Sequence, residues 1–296
     1  MSAEWPSIAD LIVPGGPGEV ALLGAPLEHG SITAGRCDLA PSAVRQALGR
    51  LSTYDLEDRT SLIAPVADLG DVDVTSRTPA EAFGPIVEAV AAATAAHDLT
   101  MLIGGNNAIT RPAAHGLGVP LDEVGLITLD AHFDMRETDR GPRNGNPVRC
   151  LLEDGLPGRN IVQIGLAPFA NTVKMHLDAL EAGISLHTIA DVRRHGIEAT
   201  IATALGQIGH VTRIIVDFDI DVIDRAQFPG APGARPGGMS ATDFFAAARR
   251  LSAETKVRLV DLTEFDPSLD SNDLGALTAA RWVCEILAGH ARRTAA

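Results

Sequence analysis

VGLITLDAHFDMR, residues 124–136, begins as an apolar run rich in β-branched residues and closes on Asp130, His132 and Asp134, each two positions from the next. A run that is apolar at successive positions suits a strand of a parallel sheet covered on both faces, whereas a half-exposed strand would alternate. The same pattern recurs in VALLGAPL from Val20, TMLIGG from Thr100, IVQIGLA from Ile161, RIIVDFDID from Arg213 and VRLVDLTEF from Val257. Helix signals fall between them. Thr78-Pro79-Ala80-Glu81 combines an N-cap, proline at the first helical position and glutamate at the third, and Ser240 to Asp243 is a similar start before FFAAARRL. This alternation predicts an α/β fold, a doubly wound parallel sheet with helices on both faces. No composition break or repeat divides residues 1–296, so a single domain is expected. Ligands in such folds bind beyond the carboxyl ends of the strands.

The bulk numbers narrow the partners. A formal net charge of −14 argues against a nucleic-acid partner or an anionic membrane surface, both of which need a basic footprint, and leaves a small cationic ligand compatible. Cys37, Cys150 and Cys284 lie far apart and form no paired motif, which points to a reducing compartment. The N-terminus MSAEWPSIADL lacks a basic segment followed by an apolar one, and no apolar stretch of about 20 residues occurs. A soluble cytoplasmic protein is expected.

Chemistry concentrates at two strand ends. On an extended segment, residues two apart share a face, so Asp130, His132 and Asp134 converge, as do Asp219 and Asp221 in VDFDIDVID. Ionised carboxylates at the end of a buried strand are costly unless a cation compensates them, and neither run contains Lys or Arg until Arg136 and Arg225. Asp130, Asp134, Asp219 and Asp221 would balance two divalent ions. Carboxylates with one imidazole and no thiolate favour Mn²⁺, with Zn²⁺, Co²⁺ and Fe²⁺ compatible. Asp217 reads as a structural or supporting acid, and Asp224 as the cap of the turn before RAQFPGAPGARPGG.

Taken together, GRCDLAPSAVR, DLGDV, GGNNAIT, DAHFD, DFDIDVID with FPGAPGARPGG, and TEFDP resemble the ureohydrolases, the family of arginase, agmatinase and formimidoylglutamase. The resemblance implies a three-layer α/β/α fold around a mostly parallel sheet, with a binuclear Mn²⁺ centre at its carboxyl edge. It further implies that Asp130 and Asp219 bridge the ions, that Asp134 and the Gly-rich turn complete one site, and that His132 and Asp221 complete the other. One departure stands out: where the family carries aspartate and a histidine ligand, this chain has Asn106 and Asn107. An amide carbonyl still coordinates, but more weakly than imidazole, so a functional, weakened first site is expected.

The implied mechanism is attack of a metal-bridging hydroxide on the central carbon of an amidine or guanidine. Glu264 in TEFDP matches the carboxylate that holds the planar cation, and Asp134 relays the proton to the leaving nitrogen. Arginase-like members carry a proton-shuttling histidine after DAHFD; here RNGNPVR puts Asn144 in its place. NGNPVR and GLAPFAN look most like formimidoylglutamase, which converts N-formimidoyl-L-glutamate and water to L-glutamate and formamide in histidine degradation. Arg136, Asn144, Asn146 and Arg149 are the candidate partners for that substrate's carboxylates. The alternatives are a guanidino-substrate ureohydrolase and a metal-poor pseudoenzyme or binding protein. Resemblance to this family also implies a homo-oligomer, a trimer or hexamer.

Overall fold

The computed structural model describes residues 5–293. Among them run β1 (Ile12–Pro14), β2 (Val20–Ala25), β3 (Tyr54–Asp55), β4 (Thr60–Ser61), β5 (Val66–Asp71), β6 (Leu99–Gly104), β7 (Val124–Leu129), β8 (Ile161–Leu166), β9 (Ser185–Thr188), β10 (Arg213–Asp219) and β11 (Val257–Thr263). The α-helices are α1 (Ala40–Ala47), α2 (Pro79–Ala96), α3 (Thr110–His115), α4 (Pro147–Asp154), α5 (Val173–Ala182), α6 (Ile189–His195), α7 (Ile197–Gln207), α8 (Ala241–Ser252) and α9 (Leu274–Ala291).

Nine strands form one sheet in the order β1-β5-β2-β6-β11-β10-β7-β8-β9, while β3 and β4 pair separately. Every described pairing in the large sheet is parallel. The apolar runs are its interior: β2, β6, β7 and β8 are buried at every position. Their side chains alternate between two cores. Leu22, Met101, Ile127 and Val216 pack with α1 and α6 to α9, whereas Leu23, Leu102, Leu126 and Ile215 pack with α2 to α5. This is the expected three-layer α/β/α arrangement. Each fully buried Leu or Ile contributes about 1.5–3 kcal/mol, so a sheet apolar on both faces holds helices on both. The edge strands β1 and β9 are only partly buried, and β1 ends on Pro14, a residue the sheet interior would not accept.

The two helix starts read from the sequence are present. Thr78 and Glu81 form a reciprocal capping box, with Thr78 N donating to Glu81 Oε2 at 2.9 Å, and Ser240 Oγ accepts from Asp243 N at 3.0 Å. No helix is long and apolar enough to cross a membrane. For the site, the decisive feature is strand order: β6, β11, β10 and β7 stand side by side, so their carboxyl ends open onto one patch.

Candidate metal centre

Four adjacent strand ends deliver the acids. Asp130 follows β7, Asp219 ends β10, Asp221 lies in the single turn Ile220–Val222, and Glu264 follows β11. Asp219 makes its own turn, accepting from Asp221 N through Oδ1 at 2.9 Å, and Asp130 does the same for His132 N at 2.7 Å. Asp134 and Glu264 both have left-handed backbones, φ 51° and 64°. Such conformations cost a non-glycine residue about 1–2 kcal/mol and cluster at functional sites.

Two constellations result, Asp130 with His132 and Asp221, and Asp130 with Asp134 and Asp219; within each, the donor atoms lie within 4.8 Å of one another. Asp130 is common to both. His132 Nδ1 stands 3.0 Å from Asp221 Oδ2 and 3.4 Å from Asp130 Oδ1. Asp130 Oδ2 and Asp221 Oδ1 are buried without a hydrogen-bond partner. Buried carboxylate oxygens left unpaired are unfavourable unless a cation takes them, so these residues fit a pair of divalent ions. Burial, reinforced by Asp221, pushes Asp130 up to about 6. Burial likewise holds Asp134 and Asp219 well above the usual carboxylate range. The Asp221 carboxylate pushes His132 up to about 12; although burial opposes it, the His132 charge in turn holds Asp221 below its ordinary value.

The two asparagines do different work. Asn106 caps the turn Asn107–Ile109, accepting from Ala108 N at 3.1 Å, and donates to Glu28 O, His29 O and Ser31 Oγ, so it is a loop anchor. Asn107 reaches the cluster: its Nδ2 donates to Asp134 Oδ2 at 2.7 Å, Asp219 Oδ2 at 3.3 Å and Asp217 Oδ2 at 3.4 Å. Its carbonyl oxygen accepts instead from Thr110 Oγ1 at 2.6 Å. The oxygen expected to act as a ligand therefore faces away from the carboxylates, because a neutral amide among unpaired acids is best satisfied by donating. Beneath it lie Asp217 and Asp261, both buried; burial raises Asp217 and pushes Asp261 up to about 7. Asp261 was not singled out from the sequence, although an acid inside the apolar run VRLVDL was a visible signal.

Glu264 Oε1 accepts from Asn107 N at 2.8 Å and Asn144 Nδ2 at 3.1 Å, leaving Oε2 for a ligand. Burial pushes Glu264 up to about 7. A pocket opens over the cluster, lined by His132, Asp134, Asp219, Asp221 and Glu264 below, and by Arg136, Asn144, Asn171 and Arg235 among its walls. Arg136 and Asn144 thus line the pocket. Asn146 does not: it is buried and braces the loop behind the pocket, accepting from Arg143 N and donating to Glu137 O and Gly141 O. Arg149 is also turned away, its guanidinium paired with Asp178 and donating to Met135 O. It lies on α4, and its helix position points it at α5 rather than at the strand ends. Arg235 and Asn171 were missed, since nothing local marks a loop residue as facing a pocket. A third acid–imidazole set, Glu19, Asp98 and His290, sits where β2 and β6 begin, at the opposite sheet edge.

The sequence profile of the arginase family matches residues 18–289. The chain belongs to the arginase family. Membership makes it a metal-dependent, amidine-hydrolysing enzyme. Among curated relatives of this arginase-family chain, the formimidoylglutamases of Halalkalibacterium halodurans and Bacillus subtilis are 31% and 30% identical, over 90% and 91% of this chain and 86% of each relative. A guanidinopropionase of Pseudomonas aeruginosa is 29% identical over 91% of this chain and 86% of its own. The crystal structure of the B. subtilis formimidoylglutamase superposes with a TM-score of 0.91 at 27% identity, covering 98% of this chain and 94% of that one. A Trypanosoma cruzi formiminoglutamase with Mn²⁺ shares the fold, with a TM-score of 0.89 at 23% identity, covering 98% of this chain and all of that one.

Proposed function

We propose that this enzyme hydrolyses N-formimidoyl-L-glutamate to L-glutamate and formamide. The observation that carries the reading is the polarity of the pocket: a floor of carboxylates ending in the free Oε2 of Glu264, and a wall bearing Arg136, which makes no ion pair among the described residues. An amidinium fits the floor and a carboxylate fits the wall. Similarity to formimidoylglutamases over most of the chain supports the choice of amidine.

Asp130, His132, Asp134, Asp219 and Asp221 would hold two Mn²⁺ ions, and Asn107 would add a weak oxygen donor after a half-turn of its amide. That half-turn is chemically open: Thr110 Oγ1 also lies 3.1 Å from Asp261 Oδ2, so its one proton can swing from the Asn107 carbonyl to that carboxylate and its oxygen then accept from Asn107 Nδ2. When bound, two such ions supply a water-derived nucleophile near neutral pH. The chain's own groups do the rest. Glu264 Oε2 grips the N–H fork of the amidinium and turns its central carbon toward the cluster. Asp134 takes the proton released at attack and returns it to the glutamate nitrogen as the C–N bond breaks. Asn144 keeps Glu264 oriented and relays no proton.

Residues 1–296 act as one domain in this reading. The enzyme works in the cytoplasm, consistent with three free cysteines, and assembles as a trimer or hexamer. Turnover of N-formimidoyl-L-glutamate, arginine, agmatine, 4-guanidinobutyrate and 3-guanidinopropionate by Mn²⁺-loaded protein tests it, with formamide and urea followed in parallel. Formamide from the first substrate alone is the expected result. Urea from 3-guanidinopropionate would favour the second reading, a guanidino-acid hydrolase, which the guanidinopropionase relative supports.

A further inference from the structure

Arg235 lies in the loop after β10 that closes over the metal-binding cluster, and it lines the same pocket as Arg136, which comes from the loop after β7. Several devices hold Arg235 in place. Its Nη1 donates back to Gly233 O at 2.6 Å and Ala234 O at 3.2 Å, which fixes one side of the guanidinium against its own loop. Its carbonyl accepts from Arg225 N at 3.1 Å, and the Arg225 side chain ties the loop through Ala231 O, Pro232 O and Ala234 O. Gly233 rests directly on Asp221 and His132. Yet the charge has no partner: Arg235, like Arg136, makes no ion pair among the described residues of a chain whose formal charge is −14. Two solvent-exposed guanidiniums without acids, on neighbouring loops over one pocket and with that of Arg235 held against its own loop, suit two anionic groups.

We infer that Arg235 and Arg136 form a two-pronged clamp, each taking one carboxylate of a dicarboxylate ligand whose cationic end lies on Glu264. The identity of the amidine rests on the formimidoylglutamate reading; the clamp itself does not. A substrate with a single carboxylate would leave one arginine unpaired, so the clamp selects a glutamate-derived amidine over a monocarboxylic guanidino acid.

Calorimetry on Mn²⁺-loaded protein, with glutarate and butyrate as probes, tests it independently of turnover. Wild type is expected to bind glutarate at least tenfold more tightly than butyrate. Arg235→Gln should erase that preference with metal content and melting temperature unchanged, and Arg235→Lys should restore part of it. In kinetics, Arg235→Gln should raise KM for N-formimidoyl-L-glutamate tenfold or more and alter kcat less than threefold. Equal glutarate affinity in wild type and Arg235→Gln, or no preference for glutarate in wild type, overturns the clamp. A preserved glutarate preference in an enzyme that does not turn over N-formimidoyl-L-glutamate would remove the substrate reading and leave the clamp standing.

Discussion

Gly233 shows how little room the site leaves at the scale of a residue. A Cβ there would lie 2.0 Å from Asp221 Oδ2 and 3.2 Å from His132 Cε1, so any side chain must displace a carboxylate of the cluster. Gly233→Val is therefore expected to lower bound Mn²⁺ to less than half the wild-type content and to remove activity in proportion, as read by metal analysis after gel filtration. Glu264 works differently. It belongs to neither of the two ligand constellations, and its free Oε2 is the group left to face a planar cation. Glu264→Gln keeps the shape and loses the charge, so kcat/KM should fall by about two to three orders of magnitude, the size of a lost charge-assisted contact in a closed site, with Mn²⁺ content unaltered. A metal loss equal to the activity loss would sink that role.

Elements place these residues. Each acid of the cluster stands at or just beyond the end of a buried strand, where backbone pairing stops and left-handed turns such as those at Asp134 and Glu264 aim the side chains inward. The pair Arg149–Asp178 belongs to this level, linking α4 to α5. Arg149→Ala should lower the denaturant midpoint, because it removes the tie between α4 and α5, while KM stays within twofold of wild type. A tenfold rise in KM would return Arg149 to the pocket. The capping box of α2 offers a separate check on how helix starts contribute: Thr78→Ala removes the cap that Thr78 Oγ1 gives Glu81 N, while the backbone N–H of residue 78 can still donate to Glu81, and should cost about 1 kcal/mol, again with kinetics unchanged.

For the whole molecule, the buried acids couple stability to pH and to metal. Asp130 is pushed up to about 6, and Glu264 and Asp261 up to about 7, mainly by burial. A carboxyl group whose folded pKa exceeds its unfolded value binds more protons when folded, so stability declines as pH rises between the two. Metal-stripped protein should therefore lose stability from about pH 4 to about pH 7, the interval between ordinary carboxylate values and these raised ones. Mn²⁺ takes the place of those protons, so the rise in Tm on adding Mn²⁺ should grow across the same interval. A Tm gain that is flat or falls from pH 5 to pH 7.5 would contradict this account of the cluster.

What the chain spells out on its own is whatever depends on short-range pattern and on desolvation. Six apolar runs became β2, β6, β7, β8, β10 and β11, because burial on both faces leaves no polar alternation in a strand. The paired acids at 130–134 and 219–221 were readable because unpaired charge beside apolar sequence demands compensation, and the helix starts because capping is satisfied within four residues. The edge strands β1 and β9, and β5 next to β1, lacked that signature, being short or half exposed. Only the tertiary structure decided which way the Asn107 amide turns, that Arg149 meets Asp178 instead of the pocket, and that Arg235 joins Arg136 above the cluster. Those outcomes depend on loops from different strands meeting across a sheet whose strand order is far from chain order, and local pattern carries no record of which loops become neighbours.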